Sequence, residues 1–195
     1  MFTSILQLPF QPRKQFAVLT NHYPLPTVAA IILGLSLLHT FITNYISLGT
    51  NQSSILSNNL WLLVLATLFG GISLFILPLI LKGAGSIHDR PLSYQKAFWV
   101  NILTITPSLF LLPITLIGLV LFFAQGSTPS LFTFVYRVLE WISFIWMFVV
   151  AVGTIQVAAN TSRPKALTIA FTFLCFTIIA AVVAVLLLAG FYAAF

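Results

Sequence analysis

Between Lys96 and Arg163 the chain carries only two charged residues, Arg137 and Glu140, and their spacing of three sets both side chains on one face of a helix. An arginine and a carboxylate so placed form an ion pair. Ionisable groups in an apolar segment serve a substrate or proton when they are central, and merely lower the cost of insertion near an end. We read the pair as lying near the outer end of its segment. His39 is the one histidine inside an apolar run, where Asn44, Asn101, Thr104, Thr106 and Gln156 are other polar residues in or near such runs. An imidazole there can relay protons or hold a metal, but His22 and His88 belong to other segments, so no metal site is expected. The amides and hydroxyls are expected to hydrogen-bond between helices. Cys175 stands alone, which leaves neither a disulfide framework nor a thiol metal site. Two carboxylates leave little for acid–base work, and there is no nucleophile elbow, phosphate loop or zinc-protease helix. Neither an enzyme nor a cofactor is expected.

The elements that carry these residues are defined by where charge is missing. Residues 15–81, 97–136, 141–162 and 166–195 contain no Asp, Glu, Lys or Arg. With 60% hydrophobic and 5% charged residues, a chain of 195 has far more apolar surface than a globule can bury, so lipid must solvate much of it. The expected fold is all-α, a polytopic bundle of five transmembrane helices forming a single domain over residues 1–195. Seven of the eight basic residues fall in three clusters: Arg13 and Lys14; Lys82, Arg90 and Lys96; Arg163 and Lys165. Five crossings put all three on one side. Since cytoplasmic loops accumulate Lys and Arg, this orients the N-terminus inside and the C-terminus outside. A net charge of +6 placed at helix ends addresses lipid headgroups rather than nucleic acid.

The spans are expected at about 25–48, 60–81, 97–124, 131–158 and 166–192. Pro107 and Pro113 should bend or locally unwind the third, exposing carbonyls for Thr and Ser side chains to satisfy. Small residues Ala66, Gly70 and Ser73 allow close approach in the second, and Trp61 suits an aromatic belt. Residues 49–59 and 125–130 read as outer loops, and 82–96 as a cytoplasmic one. The first 24 residues hold Phe2, Ile5, Leu6, Leu8, Phe10 and Phe16 with Pro9 and Pro12 between. Such a segment is expected to lie in the membrane interface or to fray as a tail. Its basic residues follow the apolar stretch, the reverse of a signal peptide, so no cleavage is expected.

The run Pro12-Arg13-Lys14-Gln15-Phe16, the passage Pro91-Leu92-Ser93-Tyr94 into a span bearing Pro107, and the turn Arg163-Pro164-Lys165-Ala166-Leu167 before a last hydrophobic helix resemble the Yip1 family. Its members are five-pass membrane proteins. The resemblance covers nearly the whole chain and is nearest in layout to the small inner-membrane members of enteric bacteria. It implies a bacterial plasma membrane and a non-enzymatic scaffold for membrane organisation or trafficking, and it carries over no catalytic residue. The long cytosolic N-terminal region of eukaryotic members is absent, and with it the basis for a Rab-type partner.

The partners expected are membrane lipids, another membrane protein or a second copy of the chain. Arg13, Lys14, Arg90, Lys96, Arg163 and Lys165 are the contacts for lipid or partner. The rival reading is a small transporter or channel, or an accessory subunit of a larger complex. A transporter requires a polar cavity near the midplane, reached by Asn101, Thr104, Thr106 or His39, whereas a scaffold can have a dry core.

Overall fold

The computed structural model describes residues 1–49 and 74–194. Its helices are α1 (Phe2–Gln7), α2 (Pro12–His22), α3 (Leu25–Gly49), α4 (Leu74–Ile87), α5 (Tyr94–Thr104), a 3-10 helix (Thr106–Leu111), α6 (Leu112–Gln125), α7 (Ser130–Ala158) and α8 (Arg163–Ala194). There is no strand among the described residues. Four helical segments are long and apolar enough to cross a membrane: Leu25–Thr43, Tyr94–Gln125, Ser130–Ala158 and Arg163–Leu186. The protein is thus a multi-pass integral membrane protein. Of the expected second span only the end lies in α4; Trp61, Ala66, Gly70, Ser73 and most of the 49–59 loop fall outside the described residues.

Three differences from the sequence reading have local causes. The helix of the second span runs through Lys82, Gly83 and Gly85 to Ile87, because Leu81, Ala84 and Gly85 keep facing the core and Leu92 packs on Gly85. Helix α4 then stops with Asp89 at φ 56°, where the Arg90 amide bonds Gly85 O at 2.9 Å and the Asp89 amide bonds Ser86 O at 3.2 Å. This is a Schellman ending with an acid in the left-handed position. Helix α7 stops the same way: Asn160 has φ 45°, the Thr161 amide bonds Gln156 O at 3.0 Å and the Asn160 amide bonds Val157 O at 3.2 Å. The last helix accordingly begins at Arg163, and α5 begins at Tyr94, where the Ser93 hydroxyl caps the Lys96 amide at 3.3 Å.

The third span is interrupted at its prolines. Pro107 has no N–H, so the Leu103 carbonyl loses its helical partner. The Thr106 hydroxyl takes that place, donating to Leu103 O at 2.8 Å, while Ser108 donates to Ile105 O at 2.7 Å. Pro113 sits in the first turn of α6, where a missing N–H is harmless.

The N-terminal segment is neither a frayed tail nor apposed only to lipid. Helix α2 folds against α7 and α1 packs on α2, burying Ile5, Leu8, Phe16 and Leu19 in the cluster that contains Ile32, Ile102, Ile155 and Ile169. Trp146 donates its indole N–H to Pro9 O at 2.8 Å, and Phe10 meets the Trp146 ring edge-on at 5.0 Å. Trp146 lies twelve residues before Ala158, about 18 Å along the helix. The turn between α1 and α2 therefore reaches deep along α7, and the Met1 ammonium returns to the Tyr23 hydroxyl at 2.8 Å. Hydrophobic burial favours this docking, since Ile5, Leu8, Phe16 and Leu19 are each 4% exposed or less.

Candidate functional site

Two cavities flank α7. The α4–α5 and α7–α8 turns lie at one end of the antiparallel helices, with the basic clusters, and the α6–α7 turn lies at the other.

At the far end, α3, α6, α7 and the α6–α7 turn border a half-open cavity of about 310 Å³ lined by Thr43, Ile46, Thr115, Thr128, Phe132, Thr133, Tyr136 and Arg137. Arg137 and Glu140 form an ion pair of 2.8 Å with both side chains substantially exposed, 64% and 43%. Arg137 thus lines the cavity while paired. Behind the wall stands His39. Its Nδ1 is 3.1 Å from the Thr115 hydroxyl and its Nε2 is 3.3 Å from the Tyr136 hydroxyl, which is itself 3.2 Å from the Thr43 hydroxyl. Thr115 and Tyr136 are buried. Thr43 follows His39 by four residues, which stacks both on one face of α3. The Phe132 ring lies against Gly118, where a side chain would clash.

Of the polar residues singled out by sequence, His39 and Arg137 join this arrangement, and the Asn44 side chain lies outside the described residues. Thr104 donates to Val100 O at 2.7 Å and Thr106 to Leu103 O, so both serve the backbone. Asn101 is buried with its amide nitrogen unpartnered. Sequence reasoning missed Thr43, Thr115, Thr128, Thr133 and Tyr136. The position of Thr43 one turn from His39 was the available signal; Thr115 and Tyr136 come from helices distant in the chain.

At the basic end, a groove of about 610 Å³ is lined by Pro12, Arg13, Phe148, Val149, Val152, Gly153, Gln156, Arg163, Pro164 and Leu167. Arg13 belongs to the first turn of α2 and Arg163 opens α8. Two guanidinium groups and two helix N-termini meet over an apolar floor. Cations are unfavourable at helix N-termini by roughly 0.3–1 kcal/mol each, so the arrangement favours an anion. Among the described residues neither arginine has an acidic partner. The Gln156 carbonyl oxygen in the groove is buried and accepts no hydrogen bond. Lys14, Lys96, Arg90 and Lys165 are exposed at the same end and do not line the groove. His88, from the α4–α5 turn, is fastened to the Thr172 hydroxyl of α8 at 2.8 Å.

Among the described residues no three His, Cys, Asp or Glu side chains gather as a metal site would need. Comparison with known proteins gives no family model, no curated protein and no solved structure that matches this chain.

Proposed function

We propose that this protein is a non-enzymatic membrane scaffold that holds anionic lipid at its cytoplasmic end. The observation that carries this reading is the groove beneath Arg13 and Arg163. Its guanidinium groups suit a phosphate and its floor of Phe148, Val149, Val152 and Leu167 suits an acyl chain. In the same reading the chain crosses a bacterial inner membrane five times with the N-terminus inside, as its basic clusters and its Yip1-like layout suggest. By binding one lipid between the N-terminal helices and α8, it couples headgroup composition to the docking of α2 on α7. The rival, a small transporter or channel, draws on the polar cavity near His39.

Native mass spectrometry of protein released from bilayers with equal phosphatidylglycerol and phosphatidylcholine tests the proposal. Wild type is expected to retain phosphatidylglycerol. Each arginine near a headgroup is worth about 1 kcal/mol, so Arg13→Ala with Arg163→Ala should reduce retention roughly tenfold or more. Equal retention of both lipids by wild type contradicts the reading.

A further inference from the structure

We infer that His39 is a proton-binding site within the membrane, reached from the far-end cavity through the Tyr136 hydroxyl. The inference is independent of the lipid reading and rests on counting hydrogens. Thr115 donates to Leu111 O at 2.9 Å and Thr43 donates to His39 O at 2.9 Å. A carbonyl only accepts and a hydroxyl has one hydrogen, so both threonines are acceptors toward every other neighbour. Nδ1 of His39 therefore carries a hydrogen and donates it to Thr115. That fixes the tautomer and leaves Nε2 as the atom that gains or loses a proton.

Tyr136 has one hydrogen and two acceptors at nearly equal distance, Nε2 of His39 at 3.3 Å and the Thr43 hydroxyl at 3.2 Å. With His39 neutral, Tyr136 donates to Nε2. When a proton from hydronium arrives at Nε2, releasing water, the new N–H donates to the Tyr136 oxygen and the tyrosine hydrogen turns to Thr43. Both states satisfy every donor, and they interconvert by rotation of one O–H without moving a heavy atom. A histidine serving only packing needs one such partner set; this one has two.

Access is built in, because Thr43, Thr115 and Tyr136 all line the cavity. At about 30 Å³ per water, its volume of about 310 Å³ has room for on the order of ten. His39 lies ten residues before Gly49, about 15 Å down α3. The charged and titratable groups facing it come from α7: Tyr136, then Arg137 and Glu140 as an ion pair on its next turn. Neither α6 nor the 3-10 helix contains a charged residue. The Glu140 carboxylate, one turn beyond Tyr136, is already paired with Arg137 at 2.8 Å, so a protonated His39 rests mainly on the Thr115 and Tyr136 oxygens.

The test is NMR of ¹⁵N-histidine protein in lipid nanodiscs across pH 4 to 9. The expected result is a neutral Nδ1–H ring at high pH and a doubly protonated ring at low pH. Exchange between them should slow at least tenfold in Tyr136→Phe, while His22 and His88 are unchanged. A second variant, Thr43→Val, leaves Tyr136 in place but removes the acceptor needed by the protonated state. One hydrogen bond corresponds to about fivefold, so the ratio of doubly to singly protonated His39 should fall by that factor at fixed pH. If Tyr136→Phe fails to fold, Thr43→Val alone decides. A His39 ring that keeps one form throughout the range overturns the proposal. So does an exchange rate indifferent to Tyr136→Phe, or a protonated fraction indifferent to Thr43→Val.

Discussion

Gly153 of α7 and Pro12 of α2 approach so closely that a Cβ on Gly153 would stand 2.5 Å from Pro12 Cγ. This contact seats the N-terminal helices on the bundle and forms one wall of the groove that holds Arg13. Gly153→Ala must push α2 away, at a cost of about 1–3 kcal/mol. Gly34→Ala is the control, since nothing lies within 4 Å of that position and helix propensity favours alanine by about 1 kcal/mol. Thermal unfolding in detergent should show a lower Tm for the first and an equal or higher Tm for the second. Equal behaviour of the two would mean that α2 is not held by this contact.

The ends of α4 and α7 depend on left-handed residues. Asp89→Ala and Asn160→Ala should each lose about 1 kcal/mol, whereas the glycine variants at these positions should hold or gain stability. Alanine and glycine variants of equal Tm would argue against these helix endings.

At the third span's break, Thr106→Val removes the hydroxyl bond to Leu103 O and leaves that carbonyl only a backbone N–H from the end of α5, at an expected cost of about 0.5–1.5 kcal/mol. Adding Pro107→Ala restores an N–H able to reach that carbonyl, so the double variant should recover much of the loss. Additive losses would show that Thr106 does not compensate for the proline.

Arg137 and Glu140 should couple weakly. Both are exposed enough for solvent or headgroups to screen them, so a double-mutant cycle with alanine is expected to give about 0.5–1 kcal/mol. Additive effects would refute the pair.

The four described spans and the break at Pro107 were legible because charge-free runs and prolines act locally. Pro107 announces a lost hydrogen bond at Leu103 wherever the chain goes, and i, i+3 spacing brings Arg137 to Glu140 without help from tertiary structure. The docking of α1 and α2 was not legible. Phe16 and Leu19 have the same apolar pattern whether they meet lipid or α7, and Gly153, which receives Pro12, looks like any small residue in a helix. The basic residues could be assigned to one end, yet nothing in their spacing singles out Arg13 and Arg163 from Lys14 or Lys165. Only the approach of α2 to α8 across α7 does so. His39 was recognised as unusual, but its partners Thr115 and Tyr136 lie 76 and 97 residues away.

A photo-crosslinking amino acid at position 149, whose valine is half exposed in the groove, tests the central claim most directly, with position 182 on the exposed face of α8 as reference. In bilayers of equal phosphatidylglycerol and phosphatidylcholine, position 149 is predicted to capture the anionic lipid preferentially. That preference should vanish in the Arg13→Ala, Arg163→Ala background, while position 182 captures both lipids alike. The same capture ratio at the two positions in the wild-type background would contradict an anionic-lipid site between α2 and α8.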